Sequence, residues 1–325
     1  MSAPVPVLGI PIDRVDMDGA VAEIERLVAL GRERSQTFQV VTVNADFVVN
    51  ALADPAVHRT LHEADLGLAD GMPLVVAAKL LGLPVPGRVT GADLVPALAA
   101  RSVDSGLRIH FYGSAPGVAE RAAALLLERS PGARVTADSG EIIADPDHPP
   151  QSAIDAIAAV DADIVCVALG NPKQERFIAA TRHQLRTPVM IGVGGTLDML
   201  IGVRRRAPEI VQRIGMEWVF RALQEPRRLG RRYANDIVVL GPTLSRHLWA
   251  AHRRTRGAAD LALRAEGDPP RVDVTGGDRL SMTTIAELVG LQRAVRQDGS
   301  TLVVAASAGV AAELEALRLG HLLDR

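Results

Sequence analysis

The chain has 325 residues, 48% of them hydrophobic, and a formal net charge of −2. That is enough for a large core and too much for one unit of ~100–200 residues. High apolar content with little net charge excludes a disordered chain, and a lone cysteine, Cys166, excludes a disulfide scaffold.

No apolar run approaches the ~18–20 residues of a membrane span. Residues 1–11 show no basic stretch leading into a hydrophobic one, so no signal peptide is expected. The expected compartment is a reducing cytoplasm, with Cys166 a small buried residue.

In chain order, Phe38–Val43 is rich in β-formers, and an apolar-periodic stretch follows over 45–63. Residues 66–69 form a short apolar run ending at Asp70-Gly71. A strand is predicted over 109–112 and a helix over 118–128, then a short strand at 135–137 and a helix at 154–159. Residues 164–169 and 189–193 are continuously apolar, as strands buried on both faces are. A helix is predicted between them over 177–185. Pro/Gly clusters at 82–87, 113–117 and 146–150 mark loops. Strands alternating with helices predict an α/β fold, a Rossmann-like parallel sheet flanked by helices on both faces.

After Gly195 the character changes. Residues 204–256 carry thirteen arginines and four carboxylates, a net of +9, and hold both tryptophans, Trp218 and Trp249. The other 272 residues carry 23 basic and 34 acidic groups, a net of −11. A segment so charged suits an anionic partner, either a membrane surface or phosphate groups. Residues 204–232 are expected to be basic and helical, and 234–248 more apolar. The division expected is an α/β core over 1–200, a basic helical appendage over 201–256, a linker over 257–270 and a small α/β tail over 271–325. The tail restarts the strand–helix rhythm but is about half a domain, so it needs a surface to pack on.

In doubly wound sheets ligands bind beyond the carboxyl ends of the strands. Thr42, Asn44 and Asp46 stand at or after the first strand, 170–175 after another, and Gly194, Gly195, Thr196 and Asp198 after the last. Pro172 suits a first helical turn, and a helix N-terminus with Lys173, one of only two lysines, would favour a phosphate or diphosphate; the plain alternative is a capped surface helix. Gly194-Gly195 allows backbone to approach a ligand or simply makes a tight turn. Asp70 is either a proton acceptor in a cleft or an Asp-Gly turn residue. Arg88 pairs with phosphate or is a solvated arginine. Asp161-Ala162-Asp163 resembles the acidic triplet of metal-dependent sugar transferases, but precedes its strand and reads as a turn. The eight histidines show no paired-ligand spacing, and no metal site is expected. The missing Gly-x-Gly-x-x-Gly and Gly-Lys-Ser/Thr patterns argue against a dinucleotide or ATP site. No cofactor is expected, nor is nucleic acid a partner.

Seven stretches in order carry a resemblance. They are 42–46 (Thr-Val-Asn-Ala-Asp); Ala64-Asp65-Leu66 leading into Ala69-Asp70-Gly71; Arg88-Val89-Thr90-Gly91-Ala92-Asp93; Tyr112-Gly113-Ser114 with Pro116-Gly117; Leu169-Gly170 with Pro172-Lys173-Gln174-Glu175; Gly192-Val193-Gly194-Gly195; and Arg206-Ala207-Pro208, Glu217-Trp218, Arg221, Glu225-Pro226 and Arg231-Arg232-Tyr233. Over residues 7–240 the chain resembles the WecG/TagA/CpsF glycosyltransferase family.

The resemblance implies a peripheral enzyme of the inner membrane face. Such an enzyme moves a sugar, often N-acetylmannosamine, from a UDP-sugar to polyprenyl-diphosphate-linked N-acetylglucosamine, with inversion and without a metal. It implies Asp70 as general base and Thr42, Asn44, Arg88 and Gln174 as pocket residues. Arg206, Arg213 or Arg221 would close over the diphosphate, and the appendage would bind the anionic membrane. A departure is Gly140-Glu141-Ile142, where the family carries an aromatic Gly-Tyr-Phe stretch. Residues 271–325 resemble the second half of a STAS domain, with Ser281-Met282-Thr283-Thr284 in place of its usual centre; this implies a docking or regulatory remnant for a protein partner. Ser281 and Thr283 read as helix-cap residues. The alternative to an enzyme is a non-catalytic regulator that binds UDP-sugar or lipid and acts through this tail.

Overall fold

The structure is a computed structural model that describes residues 2–203, 207–208, 211, 219–220, 230–255, 258, 260–275 and 279–323. Side chains at 231–233 and 254–255 are not among those described. In chain order the elements are β1 (Val5–Val7), β2 (Ile10–Ile12), α1 (Met17–Arg34), β3 (Phe38–Val43), α2 (Ala45–Ala53), α3 (Pro55–His62), β4 (Leu66–Ala69), α4 (Met72–Leu80) and α5 (Gly91–Ser105). Then follow β5 (Arg108–Gly113), α6 (Val118–Arg129), β6 (Arg134–Asp138), α7 (Gln151–Val160), β7 (Ile164–Ala168), α8 (Lys173–Thr181), β8 (Val189–Gly192) and α9 (Thr196–Leu200). A long helix spans Arg231–Thr255. The tail has β9 (Arg271–Val274), a helix Met282–Gln297, β10 (Val303–Ala306) and a helix Ala308–Ala316.

Six strands form one sheet in the order β4-β3-β8-β7-β5-β6, every neighbouring pair parallel. Parallel strands need crossovers, and the crossover helices cover both faces. Strand β3 shows why its run is apolar throughout: Phe38 and Val40 join one hydrophobic cluster, Val41 and Val43 another. Strand β7 does the same, with Ile164, Cys166 and Ala168 on one face and Val165 and Val167 on the other. Cys166 is fully buried, and burial pushes its thiol up to about 12, which leaves it inert.

Several boundaries differ from the sequence reading. The periodic stretch 45–63 is two helices, because Pro55 has no N–H to continue α2 and Asp54 caps α3 by accepting from the Ala56 N–H at 2.8 Å. Helix α8 runs from Lys173 to Thr181, starting where Pro172 signals a first turn and ending four residues before the helix predicted over 177–185 does. The β1–β2 hairpin, α1, α4 and α5 occupy stretches in which the reading placed no element. Of residues 204–232, expected to be helical, most lie outside the described residues.

The hairpin shields the β4 edge. The Asp13 N–H donates to the Gly67 carbonyl at 2.7 Å, and the Gly67 N–H donates to Asp13 Oδ2 at 2.7 Å. The tail finds its packing surface on this hairpin. Val272, Val274, Ile285, Val289 and Leu314 share one cluster with Val5, Val7, Ile10, Val57 and Leu61. Arg293 of the tail donates to both oxygens of Asp13 at 2.7 Å, with the two side chains 9% and 1% exposed. Leu261, Leu263 and Ala265 of the 257–270 segment also pack on this cluster, and the Leu261 N–H donates to Thr284 Oγ1 at 3.0 Å. Ser281 caps the first tail helix, accepting from the Thr284 N–H at 3.0 Å.

Candidate functional site

The carboxyl ends of β3, β4, β5, β7 and β8 open onto one cleft of about 1040 Å³. Thr42, Asn44, Asp70, Arg88, Lys173, Gln174, Gly194 and Gly195, eight of the residues singled out from sequence, all line it. Arg206, Arg213 and Arg221 lie outside the described residues.

Each lining residue is positioned by a backbone device. Thr42 is the penultimate residue of β3; its hydroxyl donates to the Gly192 carbonyl at 3.1 Å, tying β3 to β8 beneath the floor. Asn44 caps α2 through its side-chain oxygen, which accepts from the Phe47 N–H at 3.3 Å. Asp70 follows β4, and its N–H donates to the Val43 carbonyl at 2.8 Å. That bond sets Asp70 beside Asn44 across the mouth of two neighbouring strands. The Val89 N–H donates to the Ala69 carbonyl at 2.9 Å, which brings the Arg88 loop along the same strand end. Thr90 then caps α5, accepting from the Asp93 N–H at 3.2 Å.

On the far side, α8 enters the site. Its first turn is partly self-satisfied, since the Gln174 N–H donates to the Gly170 carbonyl at 2.9 Å. Lys173 lines the cleft and adds a full positive charge to the helix N-terminus. Gln174 is buried, and its Oε1 accepts from the Gly194 N–H at 2.8 Å and the Gly170 N–H at 3.2 Å. The Gly194 N–H is therefore spent on Gln174. Gly194 sits at φ +53°, a tight turn that presents Gly195 at the start of α9.

The long helix supplies an apolar wall: Ile237, Leu240 and Leu244 line the same cleft, with Asp236 near them. Its outer side exposes Val238 at 70% and Trp249 at 61%, with the Arg253 guanidinium 4.3 Å from the Trp249 ring centre. No helix among the described residues is long and apolar enough to cross a membrane. Gly140, Glu141 and Ile142 line the cleft too, and Ile142 is 93% exposed. Asp163 stays out of the site. It is buried at the opposite end of β7, paired with Arg32 at 2.8 Å and Arg108 at 3.1 Å, and these arginines hold its carboxyl below the usual range against the pull of burial.

Two features escaped the sequence reading. Glu175 is a fully buried carboxyl directly behind Gln174. Burial pushes it up to about 8, against hydrogen bonds from Gln174 and Asn171. Away from the cleft, the histidines do converge. His58 and His62 lie four apart on α3, a helical-face spacing that was legible, and His321 packs on both, its ring centre 3.9 Å from that of His62. His58 Nε2 meets the Leu8 carbonyl at 3.0 Å, and His62 Nδ1 meets the Gly9 carbonyl at 2.9 Å. The Leu8 N–H donates to His247 Nε2 at 3.4 Å. These rings join the hairpin, α3, the long helix and the tail.

Comparison with known proteins places this geometry. The model of the glycosyl transferase WecG/TagA/CpsF family matches residues 5–254, from the hairpin to the long helix. A protein of Bacillus spizizenii (strain ATCC 23059 / NRRL B-14472 / W23), named N-acetylglucosaminyldiphosphoundecaprenol N-acetyl-beta-D-mannosaminyltransferase, is 34% identical over 192 residues, 59% of this chain and 73% of that one. Identically named proteins of Staphylococcus aureus strains MW2 and NCTC 8325 are each 29% identical over 230 residues, 71% of this chain and 88% of theirs. With a parallel α/β sheet, a cleft at its carboxyl edge and a family match over more than three-quarters of its length, the chain belongs to the WecG/TagA/CpsF family of glycosyltransferases.

Proposed function

We propose that this protein transfers N-acetylmannosamine, or a closely related hexose, from a UDP-sugar to polyprenyl-diphosphate-linked N-acetylglucosamine. The transfer proceeds with inversion and needs no metal ion. The observation that carries the reading is the gathering of Asp70, Asn44, Arg88, Lys173 and Gln174 from four separate chain segments around one cleft. The names of the relatives supply the acceptor and the sugar.

In this mechanism Asp70 accepts the proton of the acceptor hydroxyl. The oxygen attacks the anomeric carbon from the face opposite the nucleotide, and the bond to UDP breaks. The leaving diphosphate gathers negative charge, met by Arg88, Lys173 and the N-terminus of α8. Arg206, Arg213 and Arg221 are proposed to close over that diphosphate. Ile237, Leu240 and Leu244 offer an apolar wall for the first isoprene units of the acceptor. Trp249, Val238 and the basic character of 204–256 support docking on an anionic inner-membrane surface. The tail lies beyond the family match, and its strand–helix–strand–helix order supports the reading of a STAS-like docking element for a protein partner.

The test is acceptor-dependent UDP release by purified protein on liposomes, with a short-chain polyprenyl-diphosphate N-acetylglucosamine and a panel of UDP-sugars. Release with one N-acetylhexosamine donor, unchanged by EDTA and giving an inverted product by NMR, is expected. Loss of release in EDTA, a retained anomer, or no release with any donor would contradict the proposal.

A further inference from the structure

One buried carboxyl that the proposed chemistry does not use ties together the loops framing the cleft. Glu175 Oε1 accepts from Gln174 Nε2 at 2.7 Å, and Oε2 accepts from Asn171 Nδ2 at 3.3 Å. Asn171 Oδ1 accepts in turn from Asn50 Nδ2 on α2. Gln174 Oε1 receives the N–H groups of Gly170, after β7, and Gly194, after β8. Glu175 thus reaches the segments following β3, β7 and β8 through two amide side chains.

A carboxamide has two ends that differ little in shape but are opposite in hydrogen bonding. Reversed, Gln174 would point its –NH₂ at two N–H donors and leave both of them unsatisfied. Glu175 excludes that state by placing an acceptor oxygen on the side where the –NH₂ must lie. The space around the pair is closed: a Cβ on Gly192 would stand 2.5 Å from both Gln174 Nε2 and Glu175 Oε1. Buried networks of this kind hold their geometry only when every member is satisfied.

We propose that Glu175 is a positioning residue. By fixing the orientation of the Gln174 carboxamide it sets the separation of the Gly170 and Gly194 loops, and so preorganises the subsite of Lys173, Gly194 and Gly195 for the diphosphate of the donor. The inference rests on the reading that the cleft takes a UDP-sugar.

The experiment compares wild type, Glu175→Gln and Glu175→Leu in the full chain. The readouts are UDP binding by calorimetry, donor and acceptor KM, kcat and thermal unfolding. Glutamine keeps an oxygen that can face Gln174 Nε2, so it should hold UDP Kd and donor KM within about threefold of wild type. Leucine fills the space without an acceptor. It should raise both about tenfold or more, leaving acceptor KM within about twofold. A folded Glu175→Leu protein with wild-type UDP affinity would overturn the inference. So would a Glu175→Gln protein with a tenfold loss, and that arm decides the matter if the leucine variant does not fold. Wild type that binds no UDP would overturn the underlying reading instead, before the variants are compared.

Discussion

Burial moves titration in opposite directions at Glu175 and at the clustered histidines, and the two effects bracket the pH range of greatest stability. Glu175 is raised from its ordinary 4.5 to about 8 by burial. Across that interval the folded protein keeps a proton that the unfolded chain has released, so stability falls as pH rises from 4.5 toward 8. Glu175→Gln removes this slope. Chemical denaturation at pH 5 and pH 8 should show the variant gaining on wild type by several kcal/mol at most, at ~1.4 kcal/mol per pH unit. Burial lowers His62 to about 3 and His247 and His321 to about 4, and lowers His58 as well. The unfolded chain takes up protons below pH 6.5 that these folded rings refuse. Their contribution is full above 6.5 and is lost as pH falls toward 4, and His62→Gln should flatten that acid limb of the denaturation midpoint. In the cleft, Arg88→Ala should lower kcat/KM about 10²–10³-fold, the usual cost of one donor to a developing anion. A change below threefold in steady-state kinetics would remove Arg88 from the diphosphate.

Among the elements, the strands were the most legible. Residues 164–169 and 189–193 read as buried strands because a parallel strand covered on both faces has no polar side to confuse the pattern. The acidic pair at 161 and 163 was placed at the wrong end of its strand for catalysis, and its ion pairs with Arg108 and Arg32 give it a structural task. The hairpin was not legible, because three-residue strands leave too short a period and the residues it packs on are distant in sequence. Tail docking was illegible for the same reason: Asp13 and Arg293 are 280 positions apart. Glu175 was visible only as one polar residue among several after β7; its burial comes from the close approach of Gly192 on another strand. The buried Asp13–Arg293 pair gives a prediction at this scale. Arg293→Ala leaves Asp13 charged and enclosed, and should cost about 3–5 kcal/mol in denaturant unfolding. An effect below about 1 kcal/mol would mean that the tail is held by its apolar face and its other polar contacts, such as Arg34–Asp298 and His62–Gln292.

At the scale of the whole molecule, the proposed chemistry and the proposed membrane docking meet on the long helix. The parallel sheet gathers the cleft, while the long helix walls it with Ile237, Leu240 and Leu244 and turns Val238 and Trp249 outward. If the basic segment docks the enzyme, vesicle cosedimentation should require anionic lipid. Binding should fall steeply as salt rises from about 0.05 to about 0.5 M, where the screening length drops to ~4 Å. Trp249→Ala should weaken it further at low salt. Salt-insensitive binding would place the attachment on apolar contacts instead. The central claim, that the cleft is a glycosyl-transfer site with Asp70 as its base, is tested most directly by one comparison: acceptor-dependent UDP release by wild type and Asp70→Asn, with UDP affinity measured on the same preparations. The expected rate is about 10²–10⁴-fold lower in the variant, with UDP affinity unchanged. A variant within about twofold of wild type would contradict it.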